Sequence, residues 1–297
     1  MDKYIVFDFG GTKIKHGISN DNGELITSSS YDTTRDNLDR FLADLYAVID
    51  HYIKEHKVAG IGISMPGYID IYTGYAERAG AIVALDGQNI KEILEQKYGL
   101  PVEVENDGNC AALAEKMGGN ATDVDNFIVM TIGTGIGGGF VFNGEIYRGY
   151  RFRAGEFGMM VTHLADGTKK DMHHTAATSA LIEEYKRYKN IEGHVEGTEI
   201  FAAAQTDPEV KELIDRWIGH IARGIYNLTV TLNPEKILIG GGVSVNPYLL
   251  EEINRQMKDF QYWSEFAIPI ERCKFLNDAG LIGAFYHFKI MRERVRD

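Results

Sequence analysis

The spacing of apolar residues along the chain predicts an alternation of strands and helices. Residues 3–9 are apolar and rich in aromatic and β-branched side chains, and they stop at Gly10-Gly11, which predicts a strand that enters a tight turn. Over residues 36–56 the apolar positions recur at helical spacing. The same patterns predict strands over 14–19, 58–64 and 101–106, and helices over 89–98 and from Asp107 onward. Strands that alternate with helices are typical of an α/β fold.

The second half of the chain restarts with the pattern of the first. Residues 127–142 read as a strand, a glycine-rich turn and another strand, and alignment with the first turn places Gly133 on Gly10 and Thr131 on Asp8. This similarity predicts two halves built on one plan, although two glycine-rich hairpins can also match by chance. The remaining predicted elements are a helix over 208–231, a strand over 236–240 and an amphipathic final helix over 279–294.

Composition and charge narrow the class of protein. The 297 residues are 44% hydrophobic and 25% charged, which is ordinary for a globular protein. A formal net charge of −12 argues against binding to nucleic acid or to an anionic membrane. Cys110 and Cys273 lie far apart, which argues against a disulfide framework and a four-cysteine zinc site. Neither a signal peptide nor an apolar run of the roughly 20 residues that a membrane span requires is visible, so the expected compartment is the cytoplasm.

The first glycine turn, DFGGTK at 8–13, has the chemistry of a phosphate-binding loop. Gly10 and Gly11 allow the backbone N–H groups to approach an anion, and Thr12 and Lys13 add a hydroxyl group and a cation. The Asp8 carboxylate could hold a hydrated Mg²⁺ ion beside the phosphates. An ordinary β-turn with a surface aspartate is the alternative interpretation.

Two further glycine turns follow strands. The turn at 131–139 continues into another strand, so it does not fit the dinucleotide-binding motif, in which a helix follows. Together with the first turn it could hold a polyphosphate from the opposite side. The third turn, at 239–244, lies between a strand and a helix and could let adenine approach the backbone. The alternative is a glycine turn that only joins the strand to the helix.

Asp107, in ENDGN at 105–109, is the candidate general base. It stands where a predicted strand ends and a helix begins, which is the edge where ligands collect in α/β folds. Phosphoryl transfer from ATP to an alcohol requires a carboxylate that accepts the hydroxyl proton. The alternative is an aspartate that caps the helix N-terminus.

Loop residues further along the chain add a carboxylate and three histidines. Glu156, in RFRAGEFG at 151–158, could accept hydrogen bonds from paired sugar hydroxyls, or it could be a surface glutamate. His163, His173 and His174 suggest a metal site, but the sequence offers no further convincing ligand. We therefore expect them to be solvated loop histidines.

Taken together, these motifs resemble the ROK family of sugar kinases over nearly the whole chain. DFGGTK, SMPG, VENDGNCAALAE, TIGTGIGGG, GEFG and IGGGV occur in the order seen in that family. The resemblance implies an actin/hexokinase-like (ribonuclease H-like) α/β fold with a ligand cleft between two lobes. The expected lobes are residues 1–118 plus 280–297, and residues 119–279. We also expect a homo-oligomer, and a dimer in particular, although the sequence does not decide between a dimer and a tetramer.

The resemblance further implies a role for each matching residue. Asp107 is the expected base, Asn106 and Glu156 are expected to hold sugar hydroxyls, and Gly67 and Gly80 to line the sugar pocket. Asp8 is expected to bind Mg²⁺ through water. The residues expected to bind ATP are Asp8, Gly10, Gly11, Thr12, Lys13, Gly133, Thr134, Gly135, Gly138, Gly241 and Gly242.

The sequence departs from the family pattern after GEFG. Many members carry a histidine there, followed by a cysteine-rich zinc loop, whereas Met159 occupies the histidine position and 160–178 contains no cysteine. We therefore expect zinc to be absent, whereas the resemblance to sugar kinases implies that ATP and Mg²⁺ are used. Position 173, near where many relatives place a sugar-contacting glutamate, is a histidine.

The zinc-less pattern looks most like bacterial β-glucoside kinases, which phosphorylate the 6-hydroxyl of the non-reducing glucose of cellobiose-type sugars. A glucokinase or an N-acetylmannosamine kinase of the same family is the nearest alternative. A sugar-responsive repressor of the family would carry a helix-turn-helix domain before the first glycine turn. That turn begins at residue 8, so the repressor is disfavoured.

Overall fold

The strands and helices predicted above are present in the predicted order, together with further elements that were not predicted. A computed structural model of the chain describes residues 2–165 and 167–294. The strands are β1 (Lys3–Phe9), β2 (Lys13–Asn20), β3 (Leu25–Asp32), β4 (Val58–Met65), β5 (Tyr68–Asp70), β6 (Tyr75–Arg78), β7 (Val102–Asn106), β8 (Phe127–Ile132), β9 (Ile136–Phe142), β10 (Glu145–Ile146), β11 (Val161–Ala165), β12 (Thr168–Asp171), β13 (Lys236–Gly240) and β14 (Ile270–Arg272). The helices are α1 (Leu38–Glu55), α2 (Ile90–Tyr98), α3 (Asp107–Gly118), α4 (Met172–Ala176), α5 (Thr178–Lys189), α6 (Gly197–Ala203), α7 (Pro208–Leu232), α8 (Pro247–Met257), α9 (Trp263–Phe266) and α10 (Ala279–Arg294).

The described residues divide into two compact units. The first comprises residues 2–122, 146–154 and 277–294, and the second comprises 123–145, 155–165 and 167–276. Each unit has its own sheet and its own buried core. The short segment 146–154 groups with the first unit although it follows strands of the second, and no composition signal marks it.

The first unit is a five-stranded sheet of order β3-β2-β1-β4-β7 with helices on both faces. Successive side chains of β1 point to opposite faces, as a strand requires. Ile5 shares a core with Leu45 of α1, whereas Val6 packs with Phe285 of α10. Asp8, two residues after Val6, lies on the α10 face, because a Cβ built on Gly280 would come within 2.3 Å of its carboxyl carbon.

The second unit repeats this strand plan. Its sheet has the order β10-β9-β8-β13-β14, so in both sheets the first strand pairs antiparallel with the second and parallel with a later one. The predicted alignment of the two halves is therefore confirmed at the level of topology. The core of this unit centres on α7, whose Trp217 is fully buried and donates to the carbonyl of Ala177 at 2.9 Å.

The final helix, α10, differs from its predicted amphipathic character. Leu281, Phe285 and Phe288 are buried against β1, while Gly283 packs on α3, so apolar side chains are covered on two sides of the helix. Its last turn carries Arg292 and Arg294, and Lys289 lies one turn earlier. A helix held between a sheet and a second helix needs no polar face along most of its length. No helix among the residues the structure describes is long and apolar enough to cross a membrane.

Glycine residues allow the backbone of α10 to come into direct contact with the backbones of α3 and β4. A Cβ on Gly283 would lie 1.9 Å from the carbonyl oxygen of Cys110 in α3, and one on Gly62 would lie 2.5 Å from that of Ala284. These contacts are to backbone atoms, which cannot rotate away as a flexible side chain could. The position of α3 in the first unit thus depends on the missing side chain at residue 283.

We predict that Gly283→Ala lowers the free energy of unfolding by about 1–3 kcal/mol, because the added methyl group forces α10 and α3 apart. Chemical denaturation of the purified variant measures this. The matched control is Gly193→Ala, since nothing lies within 4 Å of a Cβ at that exposed position. Equal stability of the two variants would contradict the proposed close packing.

Candidate active site

The N-terminus of α3 carries the two central residues of the predicted site. Asn106 ends β7 and caps the helix, because its side-chain oxygen accepts from the backbone N–H of Asn109 at 3.1 Å. Asp107 is the first helical residue, and its Oδ1 accepts from the N–H of Gly108 at 2.8 Å. The capping alternative for Asp107 is therefore wrong, since the neighbouring asparagine has that role.

The Asp107 carboxylate is solvent-exposed yet surrounded by protein on several sides. Its pKa is raised from 3.8 to about 6, mainly because the surrounding protein reduces the hydration of the carboxylate. The negative charge of Asp8 is the second cause of this rise. Water that reaches the exposed side chain moderates this rise. A carboxyl group whose pKa lies nearer neutrality is a better proton acceptor than an ordinary aspartate, which suits a general base.

Asp8, at the end of β1, is held by two partners in the first unit. Its Oδ1 accepts from Ser64 Oγ at 2.8 Å, and Lys15 Nζ lies 3.6 Å from Oδ2. Burial raises its pKa, and this effect exceeds the opposing attraction of Lys15. Its side chain remains 19% exposed, so carboxylate oxygens are accessible, and such oxygens are the donors that Mg²⁺ prefers. The residue fits the metal role expected of it.

The lysine beside Asp8 is not the one that the motif suggests. Lys15 lies directly opposite Asp8 in the β1–β2 pairing, whereas Lys13 is exposed and lies 3.7 Å from Asp32. Neither Lys15 nor Ser64 was predicted from the sequence to contact Asp8. Strand register is the signal that could have found Lys15, because residues directly opposite each other in an antiparallel pair share one face.

A buried ion pair lies directly behind Asn106 and Asp107. Glu105 is 1% exposed, and Arg148 donates to its Oε2 through Nε at 2.8 Å and through Nη2 at 2.6 Å. The other carboxylate oxygen accepts from the backbone N–H of Asn106 at 2.8 Å and from Asn109 Nδ2 at 3.0 Å. Burial alone would raise the pKa of Glu105, but Arg148 and these hydrogen bonds lower it below its usual value.

His287 of α10 completes this buried cluster. Its Nδ1 lies 3.4 Å from Glu105 Oε2, and the ring is fully buried. Burial lowers the pKa of His287 to about 4, so the ring is neutral at pH 7. Arg148 therefore supplies the positive charge that compensates Glu105.

Of the two glycines expected to line the sugar pocket, Gly67 contacts Asn106, and Gly80 packs on the neighbouring Pro66. The carbonyl of Gly67 accepts from Asn106 Nδ2 at 3.0 Å. Gly67 has a φ of 101°, and a Cβ there would lie 1.9 Å from the carbonyl oxygen of Arg78. A Cβ on Gly80 would lie 2.9 Å from the Cβ of Pro66. Close packing of this loop on the end of β6 thus explains why both positions are glycine.

The first glycine turn is closed by its own backbone. The N–H of Gly10 donates to the carbonyl of Lys13 at 3.0 Å, and Thr33 Oγ1 donates to the carbonyl of Gly10 at 2.7 Å. A Cβ on Gly11 would lie 2.9 Å from that of Ala81. Thr12 is exposed, and its hydroxyl lies 3.5 Å from Arg35 Nη2. The turn presents the exposed hydroxyl group of Thr12 and the cationic side chain of Lys13, and Arg35 lies beside it.

The second unit brings its two glycine turns together. The N–H of Gly133 donates to the carbonyl of Gly135 at 2.9 Å, while the carbonyl of Thr134 accepts from Ser179 Oγ at 2.6 Å. Gly241 has a φ of 90°, and a Cβ there would lie 2.1 Å from the carbonyl oxygen of Ile132. The next residue, Gly242, is exposed, and nothing lies within 4 Å of a Cβ built there. The open space beside Gly242 could admit a flat ligand, whereas the space beside Gly241 is filled by the backbone of β8.

Gly138 lies in β9, away from the tip of the turn. A Cβ there would lie 2.4 Å from the carbonyl oxygen of Val129 and 2.5 Å from the ring of Phe157. Packing of the GEFG segment onto β9 is therefore sufficient to explain this glycine. Glu156 is half-buried and immediately precedes a short 3₁₀ helix, Phe157–Met159, and the side chain of Met159 is exposed.

The expectation of solvated loop histidines is wrong for His173. This residue lies in α4, and its Nδ1 accepts from the backbone N–H of Ile136 at 3.1 Å. A Cβ on Gly158 would lie 2.2 Å from its ring, so the imidazole fills the space between the second glycine turn and GEFG. His174 is exposed and pairs with Asp171 at 2.6 Å.

His163, on β11, contacts the ring of His220 at a centroid distance of 5.5 Å. Among residues 2–165 and 167–294, no group of three or more His, Cys, Asp and Glu side chains is arranged to hold a metal ion. The absence of zinc stays a prediction.

We predict that Arg148→Met destabilises the first unit by about 3–5 kcal/mol, because it leaves the Glu105 carboxylate buried without its compensating charge. Chemical denaturation measures the loss, and adding Glu105→Gln to this variant should restore most of it.

Arg153→Met is the control, because the pair that Arg153 makes with Glu77 is exposed and its removal should cost no more than about 1 kcal/mol. If the double variant is no more stable than Arg148→Met alone, the uncompensated charge of Glu105 is not the cause of the lost stability.

Comparison with known proteins agrees with this architecture. Residues 4–290 match the ROK family. The beta-glucoside kinase of Listeria monocytogenes is 38% identical over 291 residues, which cover 96% of this chain and 97% of that protein. The Lmo2764 protein of Listeria monocytogenes, provisionally described as an N-acetylmannosamine kinase, is 38% identical and has a TM-score of 0.90 over 98% of this chain and 99% of that one.

A ROK family glucokinase from Streptomyces griseus, solved in complex with glucose and AMPPNP, is 27% identical. It has a TM-score of 0.83 over 95% of this chain and 97% of that one. The mixed α/β fold with two units is thus the hexokinase-like fold expected from the sequence. Because the family match extends over nearly the whole chain, this protein is a member of the ROK family.

Proposed function

We propose that this protein is an ATP-dependent kinase that phosphorylates the 6-hydroxyl of the non-reducing glucose of β-glucosides such as cellobiose. The observation that carries the kinase assignment is the Asp107 carboxylate. It stands at the first turn of α3, beside Asn106 and Asp8, with a pKa raised toward neutrality. Membership of the ROK family and 38% identity to a beta-glucoside kinase support the substrate class.

In the proposed reaction Asp107 accepts the proton of the sugar 6-hydroxyl. The sugar oxygen forms a bond to the γ-phosphorus of ATP, the bond from that phosphorus to the bridging oxygen breaks, and ADP leaves with the electron pair. Mg²⁺, when bound, screens the negative charge on the phosphate oxygens. Asp8 would hold it through water, fixed by its hydrogen bond from Ser64.

The sugar and the nucleotide are assigned to different residues. We propose that Asn106 and Glu156 hold ring hydroxyls and that Gly67 and Gly80 line the pocket. The residues proposed to contact the ATP phosphates are Gly10, Gly11, Thr12, Lys13, Gly133, Thr134, Gly135 and Gly138; Gly241 and Gly242 are proposed to contact the adenosine. Support for these roles comes from the family match and from the exposure of Thr12, Thr134 and Gly242.

Met159 is one residue that supports the proposed preference for a β-glucoside. It replaces the histidine that many relatives carry, and its side chain is 52% exposed. A flexible, polarizable thioether can adapt to a second sugar ring where a histidine would bind a hydroxyl group. An N-acetylmannosamine kinase is the second candidate, because a structure of equal sequence identity carries that description. The cytoplasmic location, the dimer and the absence of zinc stay predictions.

We expect Asp107→Asn to lower kcat by at least about 10²-fold while the affinities for sugar and ATP change little, because the amide keeps the shape of the side chain but cannot accept a proton. Steady-state kinetics and calorimetric binding test this. A variant with near-normal turnover would remove Asp107 from the mechanism.

The pH profile is the control. Since the base must be ionised, kcat/KM of the native enzyme should fall at acidic pH, with a midpoint between 3.8 and about 6, and the residual activity of Asp107→Asn should lack this fall.

For the substrate, we expect kcat/KM for cellobiose to exceed that for glucose and for N-acetylmannosamine by about 10- to 200-fold, the range that an apolar contact can supply. The three sugars are compared under one set of conditions with saturating ATP and Mg²⁺. A kcat/KM for glucose equal to or higher than that for cellobiose would contradict the β-glucoside assignment and leave a hexokinase of the same family.

A further inference from the structure

An exposed cluster of aromatic side chains lies in the first unit beside the predicted sugar residues. The rings of Tyr72 and Phe152 meet edge to face at a centroid distance of 6.0 Å, and the guanidinium group of Arg153 lies 4.6 Å from the ring centroid of Tyr68. We call these four residues the aromatic patch. Tyr72 is 64% exposed, and Tyr68 and Phe152 are half-buried. None of the roles assigned above uses these side chains.

The patch is held in a defined conformation. Arg151 and Phe152 have φ values of 60° and 56°, although neither is a glycine. Consecutive left-handed residues with side chains are unfavourable, persist only where their surroundings fix them, and are found most often at functional sites. Arg153 pairs with Glu77 at 2.5 Å, and Arg148 of the same segment pairs with the buried Glu105. Two ion pairs therefore anchor the segment on either side of Phe152.

The position of the patch relates it to the sugar. Tyr68 and Tyr72 belong to the β5–β6 hairpin, which begins one residue after Gly67 and ends shortly before Gly80. Gly67 in turn accepts a hydrogen bond from the side chain of Asn106. The two proposed sugar-lining glycines thus stand at the two ends of the hairpin that carries the tyrosines.

From these contacts we infer that the aromatic patch binds the aglycone of a β-glucoside, meaning the second sugar ring or the aryl group beyond the phosphorylated glucose. This inference rests on the proposed function. The apolar C–H face of a pyranose ring, or a phenyl ring, can pack on the exposed face of an aromatic side chain. The guanidinium charge of Arg153 is already paired with Glu77, so the patch suits a neutral ligand rather than an anionic one.

Single substitutions in the full-length enzyme test the inference. Tyr72→Ala removes the exposed ring, and Tyr72→Phe keeps it while deleting the hydroxyl group. The matched control is Tyr75→Ala: this tyrosine lies in the same hairpin and is 45% exposed, but its hydroxyl group lies near Gly87. For each variant kcat/KM is measured with cellobiose, phenyl β-glucoside and free glucose, and thermal unfolding verifies the fold.

We expect Tyr72→Ala to lower kcat/KM for both β-glucosides by about 10-fold while the value for glucose, which has no aglycone, changes by less than about twofold. Tyr72→Phe and Tyr75→Ala should behave like the native enzyme with all three substrates. Equal losses on glucose and the β-glucosides, or no loss on any of them, would overturn the inference.

The native enzyme measured in the same experiment separates this inference from the proposed function. If native enzyme prefers β-glucosides but Tyr72→Ala keeps that preference, the inference alone fails. If native enzyme prefers glucose to both β-glucosides, the proposed function fails and the inference fails with it.

Discussion

The compensation of one buried carboxylate determines how the N-terminus of α3 is built. Glu105 is in effect removed from water, and a charge so placed is strongly unfavourable without a partner. Arg148 supplies the charge, while Asn109 and the backbone of Asn106 occupy the other carboxylate oxygen. The hydrogen bonds from Asn106 and Asn109 act on the N-cap and the first turn of α3, which is where Asp107 begins the helix. The orientation of the proposed base is therefore coupled to a residue of the 146–154 segment, distant in the chain.

Two sheets with one strand plan carry different chemistry at equivalent positions. Asp8 in β1 corresponds to Thr131 in β8, and each stands shortly before a glycine turn. The carboxylate lies beside Ser64 and Lys15, whereas the threonine lies close to Gly137, where a Cβ would come within 2.9 Å of its hydroxyl oxygen. The plan of each half thus provides a closed turn at the end of a strand, with a different side chain before each turn.

The principal elements were predictable from the sequence because their determinants are local. Apolar spacing and glycine punctuation gave β1, α1 and α7 to within two residues, and the repeated glycine turn gave the common topology of the two sheets. The short hairpins β5–β6 and β11–β12 were missed, since strands of a few residues carry too little periodicity to detect. The amphipathic prediction for α10 was wrong, because burial on two sides depends on α3 and the sheet together.

For the candidate site, the sequence by itself determined which motifs are present, their order and hence the family. It also singled out Asp107 and Asp8, because a polar residue at the end of a strand can be recognised without a structure. Asn106 was expected only from the resemblance to the family. Only the tertiary structure decided which cation stands beside Asp8, that His173 fills space between two loops, and that Arg148 compensates Glu105. These contacts join residues of different elements, so their partners are set by strand register and by packing rather than by the spacing of residues within one element.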